Sequence, residues 1–152
     1  MREEAARRGL PPEREHLIRI GNMLRREGGA GALARRLLPR LGRRDVVDSI
    51  RNPAEVAVLR TLSGFVLLGV RASMETRMRR SLQRGRPGDP ATLEEFSARE
   101  QQENSARPEG QQLSATFKLA DRVLDNDGEL SELRAAVDRV LEECSAAAAP
   151  RD

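Results

Sequence analysis

In "RMRRSLQRGRPGD", residues 77–89, Arg77, Arg80 and Arg84 recur at intervals of three and four, with Arg86 ahead of a Gly-Asp-Pro turn. This spacing lays three guanidinium groups along one helix face, and no acid lies between Glu75 and Asp89 to neutralise them. Like charges so placed repel by roughly 0.2–0.5 kcal/mol per pair, so an anion is expected to gather them. Arg99, on the helix after the turn, is expected to converge on the same space. A guanidinium is a planar fork matched to phosphate and stays charged near neutral pH. Glycines around such a cluster suit a lid that closes over phosphates and excludes water. A plain solvated helix face is the competing reading.

A second stretch, "VVDSIRNPAEV" at 46–56, starts as a buried strand and turns polar at Asp48, Ser49 and Arg51, with Pro53 opening a helix. In parallel sheets, ligands bind beyond the carboxyl ends of strands. Asp48 and Arg51 are therefore expected at a functional edge. The bland alternative has Asp48 and Asn52 capping the helix at Pro53. "NDG" at 126–128 follows another apolar run and has the same placement.

Other chemistries are poorly supplied. His16 and Cys144 are the sole histidine and cysteine, so a disulfide within the chain or a metal centre of imidazole and thiolate is not expected. The net charge is +3, and Lys118 is the only lysine among 27 basic residues. Nucleic acid is an unlikely partner: Trp and Tyr are absent, only Phe65, Phe96 and Phe117 offer rings, and the arginines mostly alternate with acids. No apolar run approaches the roughly 20 residues that span a bilayer. The charged start "MREEAARRG" is unlike a secretory signal, so a cytoplasmic protein without a membrane partner is expected.

The elements that must position these residues follow from pattern. Helices are expected over 2–9, 13–27 and 32–42 (with Pro39 ending the last early), then from Pro53 to about 62 and from Ser73 to about 84. Thr92 and Glu95 form a capping box for the next helix, residues 111–120 resume a helix, and Ser131 opens the terminal one. Strands are expected at 45–50, 64–72 and 121–126, the second a continuous apolar run of the kind buried on both faces. Strands alternating with helices predict an α/β fold with a parallel sheet.

Taken in order, these segments resemble the P-loop small-molecule kinases, in particular the branch of dephospho-coenzyme A kinases and nucleoside monophosphate kinases. The resemblance spans "REEAARRGLPPEREHLIRIGNMLRREGGAGALARR", "VVDSIRNPAEV", "LLGVRASMETRMRRSLQRGRPGDPATLEEFSARE" and "LADRVLDNDGELSELRAAVDRVLEE". It implies a three-layer parallel-sheet fold and ATP-dependent phosphoryl transfer to a nucleotide or dephospho-coenzyme A-like acceptor. One domain over 1–145 is implied: acceptor-binding helices in 1–42, core strands in 43–72, a lid region in 73–110 and a C-terminal core in 111–145, with 146–152 a disordered tail. "DSIR" resembles the family's Asp-Gly-x-Arg strand end, with Ser49 where Gly is usual. By that resemblance Arg51 grips the acceptor phosphate and Asp48 helps order Mg2+. Arg2 and Arg25 contact the acceptor, while Arg80, Arg84, Arg86 and Arg99 form the lid on ATP. Asn126 and Gly128 border the adenine through their backbone.

The chain departs from the family in one large respect: it contains no G-x-x-x-x-G-K-[ST], and "GGAG" at 28–31 lacks the following Lys. The family's central strand and phosphate-binding loop are expected to be missing, making the fold N-terminally incomplete with about three strands. Little kinase activity is expected of this polypeptide alone. The resemblance implies a start placed too far downstream or a truncated relative, and the first is favoured because lid, acceptor and adenine elements all remain. A non-catalytic nucleotide- or partner-binding remnant is the alternative, ahead of a basic nucleic-acid-binding module. Oligomeric state is left open.

Overall fold

A computed structural model describes residues 1–42, 44–85, 88–104 and 106–147. The described residues are mostly helical, with one small parallel sheet, an α/β arrangement. They divide into two compact units: Met1–Thr61 with Glu103–Lys118, and Leu62–Gln102 with Leu119–Asp152.

The first unit is built from helices α1 (Arg2–Arg7), α2 (Arg14–Gly28), α3 (Ala32–Leu37) and α4 (Pro53–Leu59). The apolar positions of α2 recur on one face, and Ile20 and Leu24 close on Ala5 of α1 with Leu10, Leu17, Met23 and Leu33 around them. As expected for a helix meeting proline, α3 ends early, passing into a single 3-10 turn at Leu38–Arg40. Gly31 starts α3 against α4: a Cβ there would lie 2.8 Å from a Val58 methyl and 3.0 Å from the Ala54 carbonyl. That close approach gives "GGAG" a packing role. Val56 and Leu59 of α4 are each 1% exposed. The short helix α7 (Leu113–Phe117) completes the unit.

The expected strand at 45–50 is not one. Residues 45–52 are irregular, and Val46 is 93% exposed. Two β-branched residues favour extended backbone, but a strand requires hydrogen bonds from a neighbour. Among the described residues, no ladder reaches this segment.

In the second unit, β1 (Leu68–Arg71) and β2 (Arg122–Asp125) pair in parallel, in the register Leu68↔Arg122, Gly69↔Val123, Val70↔Leu124 and Arg71↔Asp125. Both lie within expected strands. Burial on both faces does not hold, because Val70 is 51% and Val123 44% exposed in a sheet only two strands wide. Helices α5 (Met74–Arg84) and α8 (Leu130–Ala147) belong here, as does α6 (Leu93–Glu103) up to Gln102. Ser73 caps α5, its hydroxyl accepting from the Thr76 N–H. Thr92 accepts from the Glu95 N–H at 3.2 Å, whereas the Glu95 carboxylate reaches Ala91 rather than Thr92.

Candidate functional site

The predicted site residues divide between the units. Arg2, Arg25, Asp48 and Arg51 lie in the first, and Arg80, Arg84, Arg99, Asn126 and Gly128 in the second. Arg86 lies outside the described residues.

In the first unit the polar turn before α4 is fastened at several points. Asn52 is the cap of α4, with Oδ1 accepting from the Ala54 N–H at 2.9 Å. Its Nδ2 donates to the carbonyls of Pro108 (2.7 Å) and Gly110 (3.1 Å). The Arg51 carbonyl accepts from the Gln112 N–H at 2.8 Å. Asp48 shares none of this capping and stands exposed at the surface. Between them, Ser49 takes φ +67°, the left-handed region that favours glycine.

Arg51 is half-buried and its Nη1 donates to the Gln111 amide oxygen at 2.8 Å. Its backbone N–H donates to Glu55 Oε2 at 3.0 Å. The other oxygen of Glu55 receives Arg25, from Nε at 2.9 Å and Nη2 at 2.7 Å. Arg25 and Arg51 are thus brought together on one carboxylate. Arg25, read as an acceptor contact, is 5% exposed and committed to Glu55. Arg2 stays exposed on α1 and joins no such network among the described residues.

In the second unit the arginine face of α5 finds its counter-groups inside the chain. Arg77 forms a two-pronged pair with Glu100, at 2.8 and 2.6 Å. Arg84 meets Asp89 at 3.1 Å, and Arg99 donates to the Gly88 carbonyl at 2.6 Å. Arg80 donates to the carbonyls of Asn126 (2.6 Å) and Gly128 (3.3 Å), which brings those three predicted residues together. The anion expected to offset this face is therefore supplied at least in part by Glu100, Asp89 and backbone oxygens.

Three residues outside the expected set do much of the positioning. Asp127, between Asn126 and Gly128, accepts from both the Ser73 N–H and hydroxyl at 2.8 Å. Those bonds at the start of α5 hold its carboxyl below the usual range. Glu55 carried a usable signal, lying four residues after Arg51 across a helix start. Gln111 carried none, since its partner is 60 residues away. At the ends of the strands Arg71 and Asp125 face each other in register, 2.5 Å apart. The guanidinium holds the Asp125 carboxyl below its ordinary value. Among the described residues, no three His, Cys, Asp or Glu side chains gather to hold a metal, and no helix is long and apolar enough to cross a membrane.

No family model matches the chain. Curated archaeal proteins do. A UPF0200 protein of Hyperthermus butylicus is 40% identical over 145 residues, covering 93% of this chain and 75% of that protein. A UPF0200 protein of Methanothrix thermoacetophila is 37% identical over 146 residues, covering 94% of this chain and 79% of the relative. A UPF0200/UPF0201 protein of Archaeoglobus fulgidus is 32% identical over 151 residues, but these are only 45% of its length. At such identity across most of both chains, the protein belongs to the UPF0200 family.

Proposed function

We propose that this chain carries the acceptor-binding and lid parts of an ATP-dependent phosphotransferase of the P-loop small-molecule kinase kind. The acceptor class is a nucleotide or a dephospho-coenzyme A-like molecule. In this reading β1 and β2 are neighbouring strands of a three-layer parallel sheet whose central strand and phosphate-binding loop are not among these residues.

The observation that carries the reading is Arg51. Its guanidinium is half-buried, is held by a neutral amide, and has no carboxylate partner among the described residues. Arg14, Arg25, Arg71, Arg77 and Arg84 all have one. A partly desolvated cation with no counter-charge favours a bound anion, and the fork geometry favours phosphate. Ser49 supports the same reading, because its backbone adopts the conformation glycine provides in the resembled strand end.

Mg2+ with ATP fits the donors present in one respect. Asp48 offers a single exposed carboxylate, which suits an ion carried mainly by phosphate oxygens and water. When bound, the ion would neutralise phosphate charge, and Asp48 would help orient it. The chain's own part in transfer is positioning: Arg51 fixes the acceptor, Glu55 and Gln111 fix Arg51, and on α5 Arg84 exchanges its carboxylate partner and Arg80 its carbonyl partners for phosphates.

The test joins an upstream strand, loop and helix bearing G-x-x-x-x-G-K-[ST] to this chain. Transfer from labelled ATP is then measured to dephospho-coenzyme A and to each nucleoside monophosphate. Transfer to one acceptor class is expected, falling about 100-fold or more in Arg51→Ala. Binding without transfer to any acceptor would overturn the enzymatic reading and leave a nucleotide-binding remnant.

A further inference from the structure

Gln111 is a buried side chain with half of its amide unused. It is 7% exposed, and its Oε1 accepts from Arg51 Nη1 at 2.8 Å. A guanidinium only donates, so the atom it meets is the amide oxygen and Nε2 is the atom turned elsewhere. No acceptor for Nε2 is found among the described residues. Nor is this nitrogen sealed in. Among the described residues, the buried side-chain polar atom that is both shut from solvent and unbonded is Asn22 Oδ1. Gln111 Nε2 therefore keeps its N–H donors at a narrow opening.

Arg51 also has donors to spare, since among the described residues only its Nη1 finds a side-chain acceptor. The two atoms of one amide share a carbon, which places Gln111 Nε2 within about 5 Å of Arg51 Nη1. One phosphate group can span that distance with two of its oxygens. The backbones on either side are already zipped together: the Arg51 carbonyl takes the Gln112 N–H at 2.8 Å, and Asn52 Nδ2 donates to the Gly110 carbonyl at 3.1 Å. The donors are thus positioned before any ligand arrives.

The choice of an amide is informative. Arg14, Arg25, Arg77 and Arg84 are each met by a carboxylate. Glutamate at 111 would hold Arg51 at least as firmly, but it would cancel the charge and remove the amide donors. Glutamine fixes the guanidinium and leaves its charge uncompensated.

We propose that Gln111 is a second contact for the acceptor's phosphate, donating from Nε2 beside the Arg51 guanidinium, and that its neutrality makes the pair selective for an anion. This rests on the reading of Arg51 as the acceptor's anchor and adds a residue that touches the same group.

Titration calorimetry of the full chain with dephospho-coenzyme A, each nucleoside monophosphate and inorganic phosphate tests it, with urea titration of every variant alongside. One acceptor is expected to bind more tightly than inorganic phosphate, and to move the Gln111 side-chain amide protons downfield. Gln111→Glu is expected to weaken that acceptor about tenfold or more, because a carboxylate then faces the phosphate, while the urea midpoint holds or rises. A residue that merely fixed Arg51 would leave affinity unchanged in this variant, since glutamate fixes it as well. Acceptor binding that is lost in Arg51→Ala yet unchanged in Gln111→Glu overturns the inference and leaves Arg51 as the anchor. Binding of inorganic phosphate alone overturns the assignment to an acceptor. Absence of any binding, or binding insensitive to Arg51→Ala, overturns the reading of Arg51 together with it.

Discussion

Arg25 and Glu55 form an ion pair in which both side chains are nearly sealed from water, 4% and 5% exposed, with 2.7 Å between Nη2 and Oε1. The pair joins α2 to α4 and leaves the second carboxylate oxygen for the Arg51 N–H. Removing one member of a buried pair strands the other charge, a loss of about 3–5 kcal/mol. Glu55→Ala is expected to lower the urea midpoint accordingly. Arg25→Met combined with Glu55→Leu is expected to recover much of the loss, since no charge is then stranded. Equal losses in the single and double variants would contradict this.

Asn52 has two separable roles, capping α4 through its oxygen and tying down residues 108–110 through its nitrogen. Aspartate keeps the first and cannot perform the second. Asn52→Ala is expected to cost about 2–4 kcal/mol, combining a lost cap with two carbonyls left without their donor. Asn52→Asp is expected to lose the carbonyl ties while retaining the cap. Hydrogen exchange would show the difference, with the Ala54 amide still protected and the 108–112 stretch opened.

Ser49 holds φ at +67°, where a side chain costs roughly 1–2 kcal/mol and a β-branched one more. Ser49→Gly is expected to be neutral or to raise stability by up to about 1 kcal/mol. Ser49→Val should lower it by about 1–2 kcal/mol, read from denaturant titration. A Val variant as stable as the Gly variant would show that this turn is free to relax.

The Asp127 carboxyl sits below its ordinary value because the Ser73 N–H and hydroxyl bond its charged form. For an acid lowered by folding, the stabilisation is complete above the unfolded carboxylate range. It is lost as pH falls through the lower native value. The start of α5 is therefore expected to loosen on acidification below about pH 4. Asp127→Asn should remove that pH dependence while weakening the link at every pH. Amide chemical shifts of Ser73 and Thr76 followed against pH would show it, and a titration unchanged by the substitution would not be compatible with this link.

The parts of this molecule governed by local rules can be read from the residues. The apolar spacing of α2, the Ser73 cap and the Pro39 stop depend on neighbours within one or two turns, and each has its expected place. Residues 45–50 have strand composition, but strand formation is decided by a partner elsewhere, so composition alone misleads there. Arg25 reads as a surface contact until Glu55, thirty residues on, closes over it. The arginine face of α5 is legible as a charge problem, whereas its answer from Glu100 and the 126–128 carbonyls depends on packing.

The attachment of Asn52 to Pro108 and Gly110 has a consequence during synthesis on the ribosome. The side chain that ends 2% exposed must wait for acceptors that lie 56 and 58 residues downstream. At about 5–20 residues per second, that interval is roughly 3–12 s. Throughout it, the Nδ2 group can be satisfied only by water, so the surroundings of Asn52 must stay hydrated while Leu62–Gln102 of the second unit are being made. Early drying of this region would trap a bare amide, and the nascent chain therefore gains from closing its first unit only after Gly110 has been added.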